Sequence, residues 1–280
     1  MESLDTTAPS TSEILWSVAT RKKYPLDAFE PCTRTFKDIA PDPEKIIAFK
    51  KLFNCQEVLP TYMFLIAYPY VGLTFSQSKN PSSLLGLIHI ASHFKFIKAH
   101  DWTQKTDIQV TMENYVKSDK GIVYQLKTSM IQDGEVTLEN VNHILDKNKQ
   151  YKSAKTANAN SKEANVDDVM ATHKVEQSIA WQYAKVSGDY NLIHLHAIFA
   201  KMFGLKTSLM HGMYNVHWML ANMDQSQLEN AGELKVSFNR PCFLPNGVAL
   251  AQESPRKLSL YSSDFKDRFL VCLVKQKRAA

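Results

Sequence analysis

The sequence predicts an α+β protein whose two halves repeat one plan, a buried helix followed by several antiparallel strands. In each half, an apolar stretch precedes runs of alternating apolar and polar residues that are separated by turn signals. A polar, low-complexity segment at 148–165 lies between the halves and has little to bury. The similar triplets 87–89 and 209–211, 122 residues apart, can be aligned at the start of the two buried helices. A curled sheet around one apolar helix would explain why both helices are apolar nearly all round.

The elements of the first half begin after a loose polar tail at 1–12. A helix is predicted at 42–54, because Pro43 suits a first turn and the apolar residues that follow fall on one face. Residues 58–78 are apolar and aromatic, but Pro60 and Pro69 interrupt them. We therefore expect extended segments or short turns there.

The long apolar run at 83–98 exceeds a typical strand, and so a buried helix is predicted. Alternation then predicts strands at 108–115 and 121–130. Asp133-Gly134 is a strong hairpin signal and joins the second of these strands to another at 136–145.

The second half is predicted to follow the same order of elements. An extended run at 170–175 and a short segment to Tyr183 come first, and a short helix at 197–203 ends at Gly204. The remaining predictions are a longer helix at 212–223 and strands at 233–238, 248–253 and 269–275.

Four segments follow from this organisation. They are an N-terminal extension at 1–39, a degenerate N-terminal domain at 40–147, a linker at 148–168 and a catalytic C-terminal domain at 169–280.

Composition narrows the class of protein. The 280 residues are 44% hydrophobic and 22% charged, which is typical of a globular chain and excludes wholesale disorder. The net charge of +5 comes from dispersed lysines without a basic stripe, which argues against a nucleic-acid partner. The four cysteines form no CxxC pair, so free thiols in a reducing compartment are expected. No secretory signal or membrane span is visible, and the cytoplasm is the expected location.

The segment 183–213 carries the chemistry. Its local sequence alone predicts a turn, but a turn does not require a histidine five residues after Asp189, or a helix that opens with His211-Gly212. The residues in question are Tyr183, Ala184, Ser187, Gly188, Asp189, Asn191, Ile193, His194, His211, Gly212 and Met213. This pattern resembles the MaoC-like, (R)-specific enoyl-CoA hydratases, whose motif reads Y-A-x-x-S-G-D-x-N-P-I-H and is followed by H-G-M.

The resemblance implies a double hotdog fold, with two antiparallel sheets each wrapped around a long central helix. It also implies interconversion of trans-2-enoyl and (R)-3-hydroxyacyl thioesters in fatty-acid metabolism. Asp189 and His194 would perform the acid–base work, and Asn191 would hold the loop or orient the aspartate. The backbone N–H of Gly212, at the N-terminus of the 212–223 helix, would donate to the thioester oxyanion.

The remaining predictions concern substrate contacts and partners. His211, Ser187 and Gly188 are grouped with Gly212 as residues of the oxyanion and substrate region, although a structural role is favoured for His211. The substrate would be an acyl-CoA or acyl-carrier-protein (ACP) thioester, with no metal or other cofactor, and a homodimer is plausible.

Two observations leave alternatives open. Leu192 stands where the resembled family has proline, which would stiffen the loop. The first half has no counterpart of the SGDxNxxH loop, which predicts that it is not catalytic. Because one fold hosts several activities, an acyl-CoA thioesterase and a non-catalytic acyl-thioester-binding protein remain the alternatives.

Overall fold

A computed structural model describes residues 22–84, 86–147 and 168–277. The described residues divide into two compact units. The first unit contains residues 22–41 and 66–147, and the second contains residues 42–65 and 168–277. The predicted tail at 1–12 and the polar segment at 148–165 lie outside the described residues.

The first unit is built on a five-stranded antiparallel sheet. Its strands are β1 (Cys32–Ile39), β2 (Ile88–Phe96), β3 (Thr106–Ser118), β4 (Gly121–Gln132) and β5 (Glu135–Asp146). They lie in the order β1-β3-β4-β5-β2. Asp133 and Gly134 connect β4 to β5 with φ angles of 52° and 76°, as the hairpin signal predicted. The three strands predicted between 108 and 145 are confirmed.

Two helices precede β2. They are α1 (Pro43–Phe53) and α2 (Met63–Gln77). The predicted α1 is confirmed: Asp42 caps it by accepting a 3.1 Å hydrogen bond from Lys45 N–H, and Pro43 occupies its first position.

The prediction of extended segments at 58–78 is wrong, because α2 continues through Pro69. Proline removes one helical hydrogen bond, but burial of a helix this apolar offsets the loss. Ala67 and Tyr70 of α2 are packed with Phe36 of β1 and Ile108 of β3 in one core cluster. Helix α2 is therefore the central helix of the first sheet.

The prediction of a buried helix at 83–98 is also wrong, since residues 88–96 form β2. An apolar run of this kind suits either a strand or a helix, and its length misled the prediction because only its middle is regular. The alignment of triplets 87–89 and 209–211 fails with it. The repeat itself holds in another register, with one strand, then helices, then four antiparallel strands in each half of the sequence.

The second unit has helices α3 (Gln177–Ser187), α4 (Leu192–Leu195), α5 (Ala197–Met202), α6 (Gly212–Ala221) and α7 (Gln225–Glu229). Its strands are β6 (Val169–Val175), β7 (Ala231–Phe238), β8 (Asn246–Ser254), β9 (Lys257–Ser262) and β10 (Arg268–Gln276). The sheet order is β7-β10-β9-β8-β6, again antiparallel. Predicted elements α5, α6, β6, β7, β8 and β10 are confirmed, whereas the sequence did not predict α3, α4, α7 and β9, or β1 in the first unit.

The second unit is discontinuous in sequence. Phe49 and Phe53 of α1 lie against His217 of α6 with ring centroids 5.1 and 5.4 Å apart, and Phe53 also contacts Tyr214 at 5.3 Å. The imidazole Nε2–H of His217 donates to the carbonyl of Thr61 over 3.3 Å. The structure thus divides the chain differently from the predicted segments. Residues 42–65 belong with the C-terminal half, and β1 is an integral strand of the first sheet instead of an extension.

Replacing Phe49 by alanine should therefore destabilise the second unit. Phe49 is fully buried and contacts Tyr62 as well as His217, so truncation should lower the free energy of unfolding by about 3–5 kcal/mol. Ile47→Ala on the same helix is the matched control, since Ile47 is 65% exposed and should change little. Urea denaturation of both variants checks this. If both substitutions lowered the free energy of unfolding equally, residues 42–65 would not be part of the second unit's core.

Within the described residues, every helix is too short or too polar to cross a lipid bilayer.

Candidate active site

The loop that follows α3 carries the candidate catalytic residues. Helix α3 ends because Gly188 adopts a left-handed conformation with φ 74°, and its N–H donates to the carbonyl of Ala184 over 2.8 Å. Asn191 then caps the short helix α4, and its side-chain oxygen accepts from the N–H of Ile193 over 3.4 Å. The segment 188–191 is thus a linker between two helix ends, which fixes the direction of its side chains.

Asp189 is held on both sides by its neighbours. Its N–H donates to the hydroxyl of buried Ser187 over 3.1 Å, and its carboxylate accepts from the N–H of Asn191 over 3.2 Å. Ser187, Gly188 and Asn191 therefore shape the loop and fix the half-buried carboxylate.

His194 of α4 is oriented by a backbone carbonyl. Its Nδ1 lies 2.8 Å from the carbonyl oxygen of Leu209, and because a carbonyl can only accept, Nδ1 carries the proton. The Nε2 of the neutral ring is then a lone-pair acceptor, which is the form that a general base needs.

His211 lies against His194. The two imidazole rings are stacked, with centroids 4.0 Å apart and planes inclined by 26°. Nε2–H of His211 donates to the backbone carbonyl of Asp189 over 3.1 Å. Burial, together with the neighbouring His194, lowers the pKa of His211 to about 3, so that ring stays neutral at ordinary pH. His211 thus supports Asp189 and His194 instead of exchanging protons itself.

The carboxylate of Asp189 and the rings of His194 and His211 converge. One donor atom from each of these residues lies within 4.8 Å of the others. Two hydrogen bonds of ordinary length span a comparable distance, so one water molecule can contact the carboxylate and an imidazole together. Three such donors could also hold a metal ion. That no metal is needed stays a prediction.

Gly212 begins α6 directly beside this cluster. The N-terminal residues of a helix direct unpaired N–H groups and the positive end of the dipole outward, and the side chain of His211 makes no capping bond there. A Cβ on Gly212 would lie 2.9 Å from Cε1 of Phe238 in β7. The glycine is therefore required for close packing on β7, a reason that the sequence did not reveal.

Gly212→Ala should lower the free energy of unfolding by about 1–3 kcal/mol, because the new methyl group overlaps the Phe238 ring. Phe238→Leu in the same chain should restore most of this loss by vacating the space. Gly72→Ala in α2 is the control. A Cβ there meets nothing within 4 Å, and alanine favours a helix interior. Urea denaturation measures all three, and full stability of Gly212→Ala would contradict the crowding.

Gln177, at the start of α3, was missed by the sequence reasoning. Its Nε2 donates to the backbone carbonyl of His194 over 2.8 Å, and its Oε1 accepts from the hydroxyl of Ser208 over 2.5 Å. Ser208 precedes Leu209, whose carbonyl orients the His194 ring. Gln177 therefore ties together the two segments that carry the donor and the acceptor of that orienting bond.

Gln177→Ala should destabilise the fold by about 1–3 kcal/mol, because it removes a half-buried amide and leaves the His194 carbonyl and the Ser208 hydroxyl without this partner. It should also free the His194 ring, which the ¹⁵N shifts of histidine-labelled protein would report as a mixture of tautomers. Ser208→Ala removes one of the two bonds and is the graded control. A single unchanged tautomer in Gln177→Ala would exclude a positioning role.

Comparison with known proteins identifies this region. Residues 155–257, which include Asp189, His194 and Gly212, match the MaoC-like domain family. This region of the chain is thus similar to a MaoC-like domain. Over 221 residues, 78% of this chain and 79% of the relative, it is 26% identical to 3-hydroxyacyl-thioester dehydratase X of Mycobacterium tuberculosis.

Solved structures agree on the fold. The crystal structure of HtdX of Mycobacterium tuberculosis superposes with a TM-score of 0.75, at 23% identity over 88% of this chain and 100% of that one. A MaoC-like dehydratase from Phytophthora capsici gives 0.66 at 12% identity, over 90% and 97% of the two chains. The predicted α+β double hotdog is confirmed.

Leucine at position 192, where the resembled motif has proline, leaves the loop intact. Leu192 is the first residue of α4, the helical position at which proline is favoured and where its missing N–H removes no helical bond. Leucine fits the same backbone, and Asn191 supplies the cap.

Proposed function

We propose that the chain is an (R)-specific hydratase/dehydratase, a hydro-lyase that interconverts trans-2-enoyl thioesters and (R)-3-hydroxyacyl thioesters in fatty-acid metabolism. The observation that carries the proposal is the convergence of the Asp189 carboxylate and the His194 ring beside the N-terminus of α6. The MaoC-like domain and the dehydratase name of the 26% identical relative support it.

The acid–base chemistry needs two groups around one water molecule. In hydration, the pair takes one proton from the water as its oxygen bonds to C3 of the enoyl thioester, and one proton is delivered to C2. In dehydration the same steps run backwards, and the C3 hydroxyl leaves as water. In the neutral His194 ring the bond to Leu209 holds the proton on Nδ1 and leaves Nε2 as the acceptor, and Asp189 supplies a carboxylate held by Asn191 N–H.

Negative charge builds on the thioester oxygen during either direction. We assign its stabilisation to the N–H of Gly212 and the dipole of α6. His211 stays uncharged because its pKa is lowered, so it contributes no charge of its own beside the oxyanion. The protein residues named here account for each proton transfer with no cofactor, and the thioester itself is the substrate, borne by coenzyme A or a carrier protein.

The test is direct. Purified protein is added to trans-2-enoyl-CoA, and loss of the conjugated-thioester absorbance is followed, with chiral analysis of the product. We expect the (R)-3-hydroxyacyl product. A stable absorbance with both CoA and carrier-protein substrates would reject the proposal and favour an acyl-thioester-binding protein.

A thioesterase is the second candidate, and the same assay separates it. Hydrolysis would release a free thiol, which a thiol-reactive dye detects. It would also consume saturated acyl thioesters. Hydration leaves the thioester bond intact. The paired acid–base groups around one water suit addition to a double bond, so we expect no thiol release.

A further inference from the structure

The segment after the catalytic loop exposes much apolar surface. Among the described residues, six of the thirteen exposed large hydrophobic side chains lie between 190 and 203. These six form what we call the 190–203 patch: Tyr190, Leu192, Ile198, Phe199, Met202 and Phe203. Ile198 and Met202 are 74% and 75% exposed. Clusters of this kind on a globular surface mark interaction sites.

Helix α5 shows that the exposure is organised. Ile198 and Met202 are four residues apart, so they lie one above the other on one side of the helix, and Phe203 follows as its C-cap residue. The residue turned to the protein interior is the small Ala200, which is fully buried. Bulky apolar groups outside and an alanine inside reverse the usual pattern of a surface helix. Packing within the fold therefore does not explain these side chains.

Basic residues outnumber acidic residues in the segment that carries the patch. Between residues 177 and 223 the sequence contains three lysines, Lys185, Lys201 and Lys206, and one acid, the catalytic Asp189. All three lysines are exposed, and Nζ of Lys206 lies 5.6 Å from the ring centroid of Phe243. The surface beside the site is thus both apolar and positive.

This combination favours one occupant over the others. A second copy packed through the same patch would bring identical lysines together, with Asp189 as the one acid of the 177–223 segment. The phosphates of coenzyme A need cations and polar donors, and leave six apolar side chains uncovered. A membrane would lie over the loop itself, because Tyr190 and Leu192 flank Asn191 next to Asp189, and would block a water-soluble thioester. An acidic protein with an apolar face satisfies both charge and hydrophobicity.

We propose that the 190–203 patch docks an acidic acyl carrier protein, which presents its phosphopantetheine thioester to Asp189 and His194. This inference rests on the proposed function and names the form of its substrate. Docking would bury the Ile198–Met202 ridge at the centre of the contact, while Lys201 and Lys206 pair with carboxylates of the carrier at its rim.

The test compares one enoyl chain on two carriers. We expect Ile198→Ser with Met202→Ser to lower kcat/KM for the trans-2-enoyl carrier protein by about tenfold or more, as truncation of interface anchors does. Lys201→Glu with Lys206→Glu should act in the same direction and remove the salt dependence. Both double variants should turn over trans-2-enoyl-CoA at the wild-type rate. Ile47→Ser and Lys51→Glu, on the exposed side of α1, are the matched controls.

Several results would overturn the docking. They are an unchanged rate on the carrier-protein substrate, an equal loss on both substrates, binding to phosphatidylglycerol vesicles that requires Ile198 and Met202, or a dimer that these substitutions dissociate. Binding of the holo carrier protein, measured by interferometry with the same variants, decides the docking without turnover. Hydration of neither substrate would instead reject the proposed function.

Discussion

Asp189→Asn should lower kcat for hydration of a trans-2-enoyl thioester by about 10²–10⁴, the range that proton transfer by a positioned side chain contributes. The asparagine keeps the size of the side chain and can still accept from Asn191 N–H, so the loop should remain folded. It cannot take a proton at neutral pH. KM should change little, because the substitution removes an interaction made during the chemical step. Steady-state kinetics and a thermal melt measure the two parts separately.

Asp168→Asn is the matched control for the charge. Asp168 is exposed before β6, and its backbone carbonyl, which the substitution keeps, accepts from Gln252 N–H over 3.2 Å. We expect wild-type rates from it. If Asp189→Asn retained more than a third of the wild-type kcat, its carboxylate would not be a proton-transfer group.

His194→Gln should cause a loss of similar size, about 10²–10⁴ in kcat. Glutamine can still donate toward the Leu209 carbonyl but supplies no basic nitrogen. His211 cannot replace it, because its Nε2–H is committed to the Asp189 carbonyl and its lowered pKa makes it a poor base. His196→Gln is the control, since His196 is exposed two residues away and meets the Trp181 ring edge to face.

The double variant tests whether the two groups act together. If Asp189 and His194 share one water, removing both should slow the reaction hardly more than removing one, as is found for catalytic residues that act as a unit. Multiplied losses would mean that the two residues serve separate steps. Neither His211 nor His217 should contribute to the pH profile between pH 5 and 8, because burial lowers both pKa values to about 3.

The local part of the candidate site could be predicted from the sequence. The hydrogen bonds that shape the loop join residues close together in sequence, namely Ser187, Gly188, Asp189 and Asn191. A contiguous sequence motif can therefore reveal them. Their catalytic roles stay predictions. The contacts that orient the His194 and His211 rings could not be predicted in this way. Their acceptors are backbone carbonyls such as that of Leu209, which any residue type provides.

The larger errors in the fold have one cause. Pro60 and Pro69 favour extended segments at 58–78, and the length of the apolar run at 83–98 favours a helix, whereas the structure has the helix first and the strand second. Tertiary contacts determine the structure of both segments: α2 is packed with β1 and β3, and β2 is paired with β5 along its length. Neither contact is local, and therefore periodicity within one segment could not reveal it.

The discontinuity of the second unit has a consequence for synthesis. On the ribosome, Phe49 and Phe53 are synthesised long before Tyr214 and His217. The two phenylalanine rings therefore lack these packing partners during most of synthesis. The sheet of the first unit can form in the meantime, whereas the second unit cannot be completed until the chain is nearly finished. A gene fragment that starts after residue 65 would lack α1 altogether, which makes the two hotdogs inseparable by any single cut.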